Sequence, residues 1–102
     1  MRTLLKVVVE VEAGNRAQRD GVLEKTMKNV AEMLKPEAAY FAPENGKRTA
    51  YFFFDLKDSS QLPWISETLF SELNAEVYIT PVMNQEDLSK GLQQATSSRK
   101  NK

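Results

Sequence analysis

The sequence predicts one α+β domain with element order β-α-β-β-α-β, and three observations carry that reading. Asn45-Gly46 lies between two strand-like runs, the strongest short-range signal for a two-residue hairpin. An amphipathic helical stripe stands on each side of that hairpin: Leu23, Met27, Val30, Ala31 and Leu34 before it, Leu62, Ile65, Leu69, Phe70 and Leu73 after it. Alternating apolar runs open and close the pattern, at 2–11 and 76–82. A chain of 102 residues has the length of one domain.

Arg2 to Val11 reads as the first strand, with Leu5, Val7, Val9 and Val11 on one side and Leu4, Lys6, Val8 and Glu10 on the other. Gly14-Asn15 interrupts it, and Asn15 suits a helix N-cap. The helix that follows starts at Asn15 and tolerates Gly21 inside it, at a cost of about 1 kcal/mol, or starts near Gly21. Pro36 ends it, because the residue before a proline is pushed out of the α region. Ala38–Pro43 and Lys47–Leu56 are the second and third strands. With Asn45 and Gly46 as the loop, Glu44 faces Lys47, Ala42 faces Thr49, Tyr40 faces Tyr51, Phe41 faces Ala50 and Ala39 faces Phe52. Large side chains then lie beside small ones, as a packed layer requires.

Asp58-Ser59-Ser60-Gln61 has the form of a capping box, with Pro63 in the early helix behind it. Glu76–Val82 is the fourth strand. Asn84 suits the cap of a short last helix, with Glu86 and Asp87 favourably placed in its first turn and Leu88 and Leu92 on one side. From Ala95 the chain is polar and basic and reads as a disordered tail, so the domain is residues 1–94 and the tail 95–102. This is the ferredoxin-like arrangement: a four-stranded antiparallel sheet with two helices on one face and a short C-terminal helix. Strands one and three are then neighbours, and strand four flanks strand one.

Charge and composition exclude several functions. Fourteen Lys and Arg against fourteen Asp and Glu remove the broad basic field that nucleic-acid binding draws on. Lys47-Arg48-Thr49-Ala50-Tyr51-Phe52-Phe53-Phe54 only partly matches the aromatic strand with which such sheets stack RNA bases. No apolar run approaches the roughly 20 residues of a membrane span, and the N-terminal residues do not read as a secretory signal; the expected location is cytoplasmic. With no cysteine and no histidine, thiol chemistry, the commonest general base and the commonest transition-metal ligands are missing. Glu10, Glu12, Asp20 and Glu24 lack a metal-loop spacing, so neither metal nor cofactor is expected.

Both helices cover one face, and the other is expected to carry Leu4, Lys6, Val8, Glu10, Tyr40, Thr49, Tyr51, Phe53, Asp55, Glu76, Tyr78, Thr80 and Val82. That set is too apolar to face water and too polar for a plain core, which suits self-association or the wall of a ligand cavity. A cavity there is expected to be walled by Lys6, Val8, Glu10, Tyr51, Phe53, Tyr78 and Thr80, the candidate ligand-binding residues. Lys6 and Glu10 stand out because a buried charge costs several kcal/mol unless something answers it. They lie roughly 13 Å apart along the strand and cannot pair within it. Asn15, Arg16 and Arg19, beside the expected helix start, form a weaker candidate anion site. Trp64 falls opposite the apolar stripe of its helix and reads as a contact residue.

Three segments carry a family resemblance: Lys35-Pro36-Glu37-Ala38-Ala39-Tyr40-Phe41, the run from Asn45 to Asp55, and Pro81-Val82-Met83-Asn84-Gln85-Glu86-Asp87-Leu88. Together they resemble a group of small uncharacterised bacterial proteins of the dimeric α+β barrel superfamily, whose subunits appose their sheets. The resemblance implies a homodimer formed through the open sheet face. It assigns no catalytic residue, since fold does not imply function. Haem-degrading branches of the superfamily use an axial histidine, which this chain lacks. The expectation is a homodimeric module that binds or senses a small organic ligand. Two alternatives are a cofactor-free monooxygenase- or isomerase-like enzyme using a Tyr or Glu for proton transfer, and a purely structural or regulatory homodimer.

Overall fold

The computed structural model describes residues 1–100. Strand β1 (Arg2–Val9) turns Leu5, Val7 and Val9 to one side, where each is at most 1% exposed. β2 (Ala38–Glu44) and β3 (Lys47–Asp55) form the hairpin. Its loop residues Asn45 and Gly46 have φ of 55° and 78°, the double left-handed conformation of a type I′ turn, which glycine adopts without a Cβ penalty. The register is the expected one, from Glu44 opposite Lys47 to Ala39 opposite Phe52. With β4 (Ala75–Pro81) the strands form one fully antiparallel sheet in the order β2-β3-β1-β4. β1 therefore lies between β3 and β4, as the sequence predicts.

The segment after β1 departs from expectation. β1 ends at Val9, and two helices follow: α1 (Val11–Arg19) and α2 (Val22–Leu34). The hydrogen bond from Gly14 N to Glu10 O opens α1. Its buried side is Ala13, Gly14 and Ala17, small residues that let the helix sit close to the sheet and leave no large apolar stripe to read. Gly21, at φ 76°, separates α1 from α2, so neither expected helix start is the observed one. Val11 is exposed and belongs to α1, not to the strand.

α3 (Gln61–Leu73) follows a half-formed capping box. Gln61 Oε1 accepts from the backbone N–H of Lys57 at 2.8 Å and of Asp58 at 3.3 Å, while the Asp58 carboxylate accepts from Ser60. With Ser60 at the cap position, Pro63 is the third helical residue and its missing N–H costs no intrahelical bond. Ile65, Leu69 and Leu73 from α3 meet Val30 and Leu34 from α2 over Leu5, Val7, Phe52 and Phe54 of the sheet. At roughly 25 cal/mol per Å² of buried apolar area, this layer supplies the main drive to fold.

α4 (Gln85–Lys100) is longer than expected. Asn84 and Asp87 cap it reciprocally, each side chain accepting the other's backbone N–H, at 2.8 and 3.2 Å. Residues 95–100 continue the helix, which corrects the expected disordered tail over that stretch; Ala95 and the long side chains around it are compatible with helix, and no proline intervenes. Positions 101 and 102, the end of that expected tail, lie outside the described residues. Among the described residues, no helix is long and apolar enough to cross a membrane.

Candidate functional site

The sheet face away from α2 and α3 is organised in rows set by strand register. Tyr40, Tyr51, Lys6 and Tyr78 stand side by side across all four strands. On one side of this row lie Ala38, Phe53, Leu4 and Thr80, and on the other Ala42, Thr49, Val8 and Glu76. Leu4 and Phe53 thus form an apolar band, with charge beyond it at Arg2 and Asp55 and at the opposite end at Glu76.

The Glu76 end is built from two matching triads. Glu44, at the end of β2, accepts the Tyr51 hydroxyl on Oε1 and the Lys6 ammonium on Oε2. Glu76 of β4 accepts the Tyr78 hydroxyl on Oε1, and its Oε2 lies 3.7 Å from Lys47 Nζ. Each ion pair reaches over a strand to which neither partner belongs: Glu44 on β2 crosses β3 to Lys6 on β1, and Lys47 on β3 crosses β1 to Glu76 on β4. Thr49 lies in the row between and is only 4% exposed, although the helical layer is on the other face. Lys6 Nζ also stands 5.9 Å from the Tyr51 ring centroid, within cation–π range.

The titrating groups move in a consistent direction. The hydrogen bond to Glu44 raises Lys6 above its ordinary value. Glu44 is lowered by Lys6 and then by Tyr51, and Glu76 by Tyr78 and then by the Lys47 charge. Tyr51 and Tyr78 are raised by the carboxylates they donate to. Every shift is away from neutrality. Lys6 stays charged, Glu44 and Glu76 ionised and the two tyrosine hydroxyls protonated, so the site offers fixed donors and acceptors.

Leu4, Lys6, Val8, Glu44, Asn45, Lys47, Glu76, Tyr78 and Thr80 line a groove of about 370 Å³ here. Of the expected wall, Lys6, Val8, Tyr78 and Thr80 line it; Tyr51 stands beside it, bonded to Glu44, and Phe53 lies in the apolar band opposite Leu4. Glu10 does not belong to the wall. It occupies the cap position of α1, exposed and with no side-chain cap hydrogen bond. The candidate anion site is also not assembled, because Asn15, Arg16 and Arg19 lie inside α1, not at its N-terminus. Asn15 Oδ1 accepts from Arg48 at 3.1 Å, and Arg16 and Arg19 occupy the last turn, where the helix dipole is negative. Arg19 pairs with Asp20 at 3.3 Å.

Glu44 and Lys47 escaped the sequence reading, which treated them only as the flanks of the loop. Parity places Glu44 on the face of Tyr40 and Ala42, and the hairpin register supplies the rest. Trp64 is half exposed on α3. Among the described residues, no group of three or more Asp and Glu side chains is arranged to hold a metal ion. No protein-family model, curated protein or solved structure matches this chain.

Proposed function

We propose that the chain is the subunit of a homodimeric small-molecule-binding module of the dimeric α+β barrel type, with a ferredoxin-like subunit and a cytoplasmic location. One observation carries this reading: a groove of about 370 Å³, walled by Lys6, Glu44, Lys47, Glu76 and Tyr78, on a sheet face that α2 and α3 leave open. A volume of this size suits a small organic ligand. The apolar band of the face, with Leu4 and Phe53, supplies the surface on which a second sheet packs. Binding is favoured over catalysis because efficient acid–base groups hold pKa values near the working pH, whereas Lys6, Glu44, Tyr51, Glu76 and Tyr78 are all shifted further from it.

Light scattering tests assembly and native mass spectrometry tests occupancy. The purified chain is expected at no less than twice its own mass, with an added small-molecule mass retained under gentle ionisation. Lys6→Met and Tyr78→Phe are expected to lose that added mass while keeping the assembly. A chain that stays monomeric at tens of micromolar overturns the barrel reading. An assembly that never retains or binds a small molecule, and that both variants weaken, leaves the purely structural reading.

A further inference from the structure

The outer edge of the sheet carries a second surface, which shares Tyr40 with the open face. Strand β2 is an edge strand. In a two-residue hairpin the residues flanking the loop exchange both hydrogen bonds, so Glu44, Ala42, Tyr40 and Ala38 turn their backbone groups inward to β3. The other side of β3 agrees: Leu56 N donates to Met1 O, which assigns the even-numbered β3 residues to β1 and the odd-numbered ones to β2. The N–H and C=O groups of Ala39 and Phe41 therefore point outward from the sheet edge.

Natural edge strands are usually guarded by charge, proline, a bulge or a covering helix. The run Ala38-Ala39-Tyr40-Phe41-Ala42 has none of these. Tyr40 is 65% exposed and Phe41 62%. β2 carries its own proline and charge only at the loop end, Pro43 and Glu44, whereas β4 on the opposite edge packs against α3. At both ends of the β2 run the free ladder stops. Pro43 has no N–H to give, and the N–H of Glu37 is already donated to Phe53 O at 2.8 Å.

We infer that β2 is an interaction surface for the β2 strand of a second copy, paired antiparallel about a two-fold axis at Tyr40. In that register Phe41 and the partner's Ala39 exchange both backbone hydrogen bonds, and symmetry repeats the exchange, giving four. Side chains fit as well as backbone. Phe41 stands beside the partner's Ala39 on the helix side, large against small, as Phe41 already stands beside Ala50 within the chain. Tyr40 meets the partner's Tyr40 on the open side, an aromatic cross-strand pair. No charge lies opposite a like charge between residues 38 and 42, and Pro43 falls just beyond the last bond. The occupant is a copy of the same chain because the segment is complementary to itself.

Ala39→Pro and Ala39→Lys test this. The first removes an outward N–H and no intrachain bond, which edge strands tolerate; the second adds a guarding charge to the uncharged run from Ala38 to Ala42. Each is expected to halve the mass measured by light scattering at matched concentration, with the circular dichroism of the wild type. Amide exchange at Ala39 and Phe41 is expected to be slow in concentrated wild type and fast on dilution. Mass unchanged in both folded variants overturns the inference. So do Ala39 and Phe41 amides that exchange freely at the highest concentration, the result expected if this edge receives a strand of some other protein. Failure of the open-face contact is a separate result: it lowers the wild-type mass, but Ala39 substitution still halves what remains.

Discussion

Lys6, Glu44 and Tyr51 come from three different strands, and their pairing sets how the open face answers to pH. The carboxylates of Glu44 and Glu76 are lowered by their donors, so the stabilisation they bring is present above the ordinary carboxylate range, about 4.3 for glutamate, and is lost as pH falls through their depressed values. Tyr51, Tyr78 and Lys6 are raised. Their share is present below about pH 10 and is lost as pH rises through the raised values. Between those limits both triads are intact. An alkaline titration followed by tyrosine absorbance is therefore expected to contain a component above the ordinary tyrosine range. Glu44→Gln is expected to move the Tyr51 part of that component downward and leave the Tyr78 part in place. A curve that Glu44→Gln leaves unchanged removes the hydrogen bond as the cause. Glu44 was legible in principle, since parity and the hairpin register put it on this face; its bond to Lys6 was not, because the two residues are separated by 38 positions and a whole strand.

The hairpin and the helices differ in how much they owe to local signals. Gly46 sits at φ 78° with open space where a Cβ would project. Gly46→Ala thus meets a backbone penalty without a clash, and about 1–2 kcal/mol of lost stability is expected from urea unfolding. No measurable loss would mean that the turn relaxes to another type. The α1–α2 segment shows the opposite case. Its small-residue face, Ala13, Gly14 and Ala17, produces no strong hydrophobic period, so a strand extended to Val11 and a single helix were the natural readings. At the C-terminus, α4 is held at its start by the Asn84–Asp87 cap and by Arg2, 3.6 Å from Asp87. Its later residues are exposed, Leu92 at 58%. Deletion of residues 97–102 is expected to change the melting temperature by no more than about 1 °C, as for surface changes generally. A larger fall would assign the outer half of α4 a packing partner.

At the scale of the molecule, the fold is a one-sided sheet. The core lies between sheet and helices, where Phe52, Leu5, Val7, Ile65 and Leu69 are fully buried. The other face holds Leu4, Val8, Tyr51 and Phe53 at intermediate exposure, together with more exposed Tyr78 and Tyr40. Small domains bury a limited share of their surface alone, and pairing raises it. If the open face is the contact between subunits, Phe53→Glu puts two carboxylates into an apolar seam. It is expected to weaken association at least a hundredfold in sedimentation equilibrium, while near-native circular dichroism persists. Unchanged association would exclude the apolar band of the face as the seam.

Within the chain, the sequence alone determined the strands, the hairpin register, the helix-covered side and the identity of most residues on the open side. These follow from local rules: period-two and helical alternation, the Asn-Gly turn, and the proline that ends α2. Tertiary structure alone decided that Glu10 leaves the sheet to begin α1, that Asn15, Arg16 and Arg19 lie inside that helix, and that Lys6 and Lys47 find Glu44 and Glu76. The physical reason is range. Alternation reports which side a residue faces, whereas a side-chain ion pair across a third strand depends on twist and reach, and these exist only once the sheet is assembled.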